Sequence, residues 1–182
     1  MAMIEMTVEG IGIDPQNNPL VLLRDEERKT FVPIWIGHGE AAAIDMELQS
    51  KQPQRPMTHD LIANVFRELD IRLVQVSVND FSEQVYYAKL HLQMGRNEDA
   101  IREVDARPSD AIALALRARC PILVHDSVAA KTGIQVEATA ELPEPMSENL
   151  DEDSSPEEID KFVKLLEGVD LGEDDERKRG SD

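Results

Sequence analysis

The sequence predicts an α+β fold: a mixed, largely antiparallel sheet with several helices and a weak internal helix–strand duplication. Three observations predict it. Stretches of apolar–polar alternation, the period of a half-buried strand, recur between residues 3 and 125. Helical patterns stand in separate blocks instead of following each strand, which argues against a doubly wound parallel sheet. Finally, RPMTHDLIANVFRELDIRLVQVSV (55–78) is echoed by RPSDAIALALRARCPILVHDSV (107–128).

The elements follow in order. Residues 3–13 alternate, Ile4, Met6 and Val8 against Glu5, Thr7 and Glu9, as a strand does. PQNNP (15–19) is a turn. Leu20–Leu23 and Thr30–Ile36 read as strands around the charged loop RDEERK. GHGEAAAIDMELQ predicts a helix from about Glu40 to Ser50. A loop holding Pro53 and Pro56 leads to Thr58, the expected N-cap of a helix reaching about Asp70. IRLVQVSVND and VYYAKLHLQM alternate and predict a hairpin across Asn79–Gln84. Gly95-Arg96-Asn97 is a turn and Ile101–Asp105 a strand. The next helix ends near Cys120, because Pro121 disfavours helical geometry in the residue before it. PILV is a short buried strand, and SVAAKTGI a short helix closed by Gly133.

The chain has 182 residues, enough for one ordinary domain plus an extension. A domain of roughly 140 residues hides about two-thirds of the surface its unfolded chain exposes, so no disulfide is needed. The single cysteine, Cys120, excludes an intrachain bridge and a cysteine-cluster metal site. MAMIEMTVEGIGID lacks the basic start and long apolar run of a signal peptide. No window approaches the ~20 apolar residues of a membrane span. A cytoplasmic protein without a membrane partner is expected.

Charge divides the chain. Residues 1–140 carry 14 Lys and Arg against 21 Asp and Glu, a net −7; residues 141–182 carry 5 against 16, a net −11. The acidic segment is poor in aromatics and cannot bury enough apolar area to offset the entropy of ordering. Within it, Ile159, Phe162, Val163, Leu165 and Leu166 fall at helical spacing. The expected organisation is a domain over 1–140, an acidic linker over 141–155, a short amphipathic helix over 156–167 and a disordered charged tail over 168–182.

At a fixed offset of fifty, eight pairs of the echoed segments match: Asp60/Asp110, Ile62/Ile112, Ala63/Ala113, Arg67/Arg117, Leu73/Leu123, Val74/Val124, Ser77/Ser127 and Val78/Val128. Chance gives about one or two at ordinary composition. Each copy reads Arg-Pro, hydroxyl residue, Asp, helix, strand. A structural reading covers most of this: Ser109 or Thr58 as helix cap, Asp110 or Asp60 favoured by the helix dipole. It leaves Arg107 and Arg55 unexplained, since a cation at a helix N-terminus is unfavourable unless paired. Each arginine either bridges to its neighbouring aspartate or holds an anion.

The polar residues expected to converge are Glu40, Asp45, His59, Asp60, Asp105, Arg107, Ser109 and Asp110. Clustered carboxylates suit hard divalent ions such as Mg²⁺ or Mn²⁺. Such an ion beside an arginine would lower the pKa of a water and neutralise a phosphate, as phosphodiester hydrolysis requires. A histidine could move the proton near neutral pH. His38 reads as a loop residue, His91 as a strand-face residue and Cys120 as small packing. No Gly-rich phosphate loop or G-x-S-x-G elbow is present.

VPIWIGHGEAAAI (32–44), RPMTHDL (55–61) and DARPSDAIALALR (105–117), in this order and spacing, closely resemble the bifunctional nuclease domain family. The resemblance covers about residues 4–135. It implies an α+β domain that forms a wedge-shaped dimer with a groove, and hydrolysis of both RNA and DNA. By motif it points to Glu40, His59, Asp60, Asp105, Arg107, Ser109 and Asp110. The roles assigned to them are our own: Asp105, Asp110, Asp60 and Glu40 as metal ligands, His59 as proton shuttle, Arg107 on the phosphate and Ser109 orienting it. Some relatives carry a small helical UVR-type interaction module at the C-terminus, where this chain has its acidic segment.

The first expectation is therefore metal-assisted cleavage of RNA or DNA at low sequence specificity. The net-negative core is the opposite of the basic surface that phosphate binding favours, so cations such as Arg55, Arg107 and Arg117 would have to gather in a groove between subunits. The alternative is a non-enzymatic regulatory or scaffold dimer whose acidic tail engages a basic protein partner. A third reading is a small-anion-binding domain built on the two helix N-termini.

Overall fold

The computed structural model describes residues 2–95 and 100–135. Among these residues eight strands form one mixed sheet: β1 (Met3–Ile13), β2 (Pro19–Asp25), β3 (Thr30–Trp35), β4 (Ile71–Ser82), β5 (Val85–Met94), β6 (Ile101–Ala106), β7 (Ile122–His125) and β8 (Ile134–Gln135). Their order is β6-β5-β4-β7-β1-β2-β3-β8. Only β4 and β7 are parallel; every other neighbouring pair is antiparallel. Four helices accompany it among the described residues: α1 (His38–Leu48), α2 (Thr58–Glu68), α3 (Pro108–Ala118) and α4 (Asp126–Thr132). The expected linker, amphipathic helix and tail lie outside the described residues, as does most of the Gly95–Asn97 turn.

β1 joins two half-sheets. Its first four residues pair with β7, and Thr7–Ile13 pair with β2, with a bulge between Val8 and Gly10. The alternation read from the sequence holds as far as this bulge, with Met6 buried and Val8 half-buried. The sheet coils strongly, so strands far apart in its order come together. Tyr86 on β5 donates its hydroxyl to the Pro33 carbonyl on β3 at 2.8 Å and stacks tilted on Phe81 at 4.5 Å between centroids.

Core packing explains why α3 sits where it does. Ala111, Ile112, Ala113, Leu114 and Ala115 are all buried, giving a helix whose small residues admit close neighbours on several sides. α1 and α2 both pack on α3, which in turn packs on β4 and β5. Val76, Val78, Val124 and Ile112 are fully enclosed in this core. α3 ends at Ala118, earlier than expected, through Arg119 in the left-handed conformation (φ 53°).

The echoed units become neighbours. α2 and α3 have eleven residues each at the fifty-residue offset, and the strands that follow them are the parallel pair. The echo fails at its end, where Ser77 and Val78 lie in β4 but Ser127 and Val128 lie in α4.

Three local expectations are corrected. The hairpin turn is the two residues Glu83 and Gln84, both at positive φ (51° and 61°). This is the geometry that suits the twist of the flanking strands, reached here without a glycine. The N-caps of α2 and α3 are Met57 and Arg107, not Thr58 and Ser109, which are helical. Gly133 closes α4 with φ −75°, so space and not handedness demands it: a Cβ would strike the Ala129 carbonyl oxygen and come within 2.7 Å of Thr30 Cγ2.

Candidate active site

The site forms where the N-termini of α1, α2 and α3 meet. Arg107 occupies the N-cap position of α3 with extended backbone (φ −68°, ψ 144°) and has no oxygen to cap with. Pro108 follows as the first helical residue, a position where its missing N–H costs nothing. The amides of Ser109 and Asp110 therefore face outward from α3 without a side-chain cap.

The cation at this positive helix end is stable because two carboxylates hold it. Arg107 donates from Nε to Asp110 Oδ2 at 2.8 Å and from Nη2 to Asp110 Oδ1 at 3.2 Å. Its Nη2 also lies 2.8 Å from Glu40 Oε1, contributed by the first turn of α1. The Arg107 side chain is 66% exposed, and among the described residues its Nη1 makes no hydrogen bond. The hydrogen bond and charge of Asp110, aided by Glu40, push Arg107 further above its ordinary value.

Asp110 has a second partner. His59, buried in the first turn of α2, places Nε2 3.0 Å from Asp110 Oδ1. Partial burial works to raise the Asp110 carboxyl, but the bonds from Arg107 and His59 outweigh it and hold it below the usual carboxylate range. An ionised carboxylate only accepts, so His59 Nε2 carries the proton and Nδ1 is left as the basic nitrogen. This is the arrangement by which a carboxylate fixes the tautomer of a catalytic imidazole.

The other aspartate of the echo does a different job. Asp60 accepts hydrogen bonds from Arg117 Nε at 2.6 Å and from the Met57 amide at 2.9 Å. Arg117 is 8% exposed and also donates to the carbonyls of Ala113 and Ala43, so it ties α1, α2 and α3 together. Burial raises Asp60, yet these bonds prevail and depress its carboxyl. Such a group stabilises the fold above its unfolded value near pH 4, and the contribution fades as pH falls through the lower folded value. Asp60→Asn is thus expected to flatten the acid limb of the melting temperature below about pH 4, measured by circular dichroism.

The expected residues separate into three groups. Glu40, His59, Arg107 and Asp110 converge, while Asp60 belongs to the neighbouring Arg117 knot. Asp105 is exposed on β6, opposite Lys89 in the ladder, and makes no bond to the cluster among the described residues. Asp45 accepts from Gln49. Ser109 is buried, the second helical residue of α3, with no side-chain hydrogen bond among the described residues. His38 begins α1 and is exposed; His91 bonds Ser77 Oγ at 2.9 Å on the sheet. Burial raises the Cys120 thiol to about 11, in keeping with a packing role.

The fit to a divalent cation can be judged from the donors. Glu40 Oε1, both oxygens of Asp110 and both oxygens of Asp60 are already taken by guanidinium, imidazole or amide protons. Among the described residues no three His, Cys, Asp or Glu side chains are placed to hold a metal ion. Of the carboxylates expected to surround a cation, Glu40, Asp60 and Asp110 hold arginines and Asp105 stands apart on β6, so as they stand these residues do not fit one.

Gly37, the N-cap of α1, sits against Glu40. A Cβ there would press on Glu40 Oε2, the mobile end of the side chain. Gly37→Ala is therefore expected to swing Glu40 off Arg107 while changing stability by no more than about 1 kcal/mol. Thermal melts and the Arg107-dependent activity proposed below check the two halves of this statement.

The class these features define is a one-sheet α+β domain with a His–Asp–Arg–Glu centre at converging helix N-termini. Residues 21–137 match the bifunctional nuclease domain, and the chain belongs to that family. An uncharacterized protein of Mycobacterium tuberculosis is 38% identical over 166 residues, covering 91% of this chain and 94% of that protein. Bifunctional nuclease 2 of Oryza sativa subsp. japonica is 29% identical over 119 residues, 64% of this chain but 36% of the plant protein. Bifunctional nuclease 1 of Arabidopsis thaliana is 25% identical over 136 residues, 73% of this chain and 42% of that protein. Among the described residues no helix is long and apolar enough to cross a membrane.

Proposed function

We propose that the chain hydrolyses phosphodiester bonds of RNA or DNA with low sequence specificity, and that His59, Asp110 and Arg107 are its active centre. The observation that carries this reading is the 3.0 Å link between His59 Nε2 and Asp110 Oδ1, made on a carboxylate that also orients Arg107. Asp110 holds the imidazole in one tautomer. His59 Nδ1 takes a proton from water as its oxygen attacks phosphorus, and returns it to the oxygen that leaves as the P–O bond breaks. Arg107 Nη1 and the outward amides of Ser109 and Asp110 would receive the phosphate oxygens. Glu40 keeps Arg107 in place. The family membership and the names of the plant relatives support the same chemistry.

The test is cleavage of RNA and single-stranded DNA by highly purified protein beside its Asp110→Asn variant, with Mg²⁺, with Mn²⁺ and with chelator. Contaminating nuclease survives the substitution, so activity equal in both proteins would end the proposal. The chelator arm measures dependence on a metal.

A homodimer forms part of this reading. Met57, Leu61, Val65 and Leu69, at four-residue spacing along α2, are 40–63% exposed, an apolar stripe unusual on a monomer's surface. Sedimentation of Leu61→Lys tests it; a dimer unchanged by that charge would move the interface elsewhere.

A further inference from the structure

A cleft of about 630 Å³ opens beside the far part of the α2–α3 seam, lined by Phe66, Arg67, Asp70, Arg72, Gln93 and Arg117 among others. Two of its three arginines, Arg67 and Arg72, differ from the other bonded arginines among the described residues. Arg24, Arg28, Arg107 and Arg117 all pair with carboxylates. Arg67 is held instead by the side-chain carbonyl of Asn64 at 2.7 Å, and Arg72 by that of Gln93 at 2.9 Å. Amides orient a guanidinium without cancelling its charge. Gln93 is only 5% exposed and is the ladder partner of Arg72, so Arg72 is fixed by the sheet. Asp70 is the one carboxylate among the described lining residues.

We propose that this cleft binds the sugar-phosphate backbone of a single nucleic-acid strand, with Arg67 and Arg72 on its phosphates. This rests on the reading of His59 and Asp110 as the cleavage centre. Arg117, which lines the cleft, is seven residues along α3 from Asp110, about 10 Å at 1.5 Å per residue. That corresponds to about three stacked nucleotides at 3.4 Å each. A strand cleaved at one end of the seam would thus lie with its flanking phosphates at the other. The negative remainder of the domain gives the strand little reason to settle elsewhere.

The experiment uses the full chain and a double variant, Arg67→Gln with Arg72→Gln. KM for a labelled single-stranded 12-mer is expected to rise about tenfold, while turnover of a small activated phosphodiester stays unchanged. The salt dependence of 12-mer binding should become shallower by about 1.4 in log K against log salt, 0.7 for each phosphate that is no longer neutralised. Lysine at both positions should restore the slope. Because binding is read by anisotropy as well as cleavage, the two proposals fail separately. A protein that binds the 12-mer with the expected slope change but cleaves nothing keeps the cleft and loses the nuclease reading. An active protein whose KM and salt slope ignore the double variant loses the cleft. Displacement of the 12-mer by inorganic phosphate at equal phosphate concentration would also overturn the strand subsite.

Discussion

Asp110→Asn is expected to lower cleavage of RNA and single-stranded DNA at least a hundredfold per folded molecule. The amide keeps the size of the side chain but presents N–H protons where Arg107 and His59 also donate. The imidazole loses the partner that fixes its tautomer, and general acid–base catalysis of this kind is worth roughly 10²–10⁴ in rate. The cost to stability should be smaller, about 1.5–3 kcal/mol for a charge-assisted hydrogen bond, so cooperative melting should persist. His59→Gln should lose as much, and the double variant little more than either alone, because residues acting as one unit do not contribute additively. Steady-state rates on the four proteins, corrected for folded fraction, give the answer. Retained activity in a destabilised Asp110→Asn would assign Asp110 to anchoring α3 alone.

Asp60→Ala should show the reverse balance. It leaves the Arg117 guanidinium buried without its carboxylate and the Met57 amide without its acceptor. Breaking such a pair from one side costs about 3–5 kcal/mol, far more than any surface pair of the chain. Urea titration measures it. Replacing both partners with apolar residues, Asp60→Leu with Arg117→Met, should recover much of the loss, since no charge is then stranded. If the double variant is no better than the single one, the Arg117 bonds to Ala113 and Ala43 carry the stability instead.

The sequence made the fold class and most elements legible because alternation and helical spacing are local signals. The parallel placement of β4 and β7 was foreshadowed only by the echo, which predicts like units but not how they meet. At the site, the motif residues were readable and their partners were not. Asp60 and Asp110 occupy equivalent positions of the echo, yet one binds Arg117 and the other Arg107 and His59. That difference arises from how α2 crosses α3, a tertiary fact. Asp105 looked like part of the cluster because it and Asp110 flank one strand-to-helix junction. In a strand two residues cover nearly 7 Å, and the helix then turns Asp110 away from it. Arg67 stood out only as the echo of Arg117 and Arg72 not at all, since their neutral partners are set by helix spacing and ladder register.

β1 has a consequence for how the chain is made. It leaves the ribosome before the other strands, yet Met3–Met6 find their partner only when Ile122–His125 have been synthesised. A pairing closed over so much sequence forms late and slowly. The nascent chain must keep that segment out of trouble in the meantime. The family match begins at residue 21, within β2. A recombinant fragment trimmed to those borders would leave β2 and β7 with naked rims, the kind of surface on which chains assemble into aggregates.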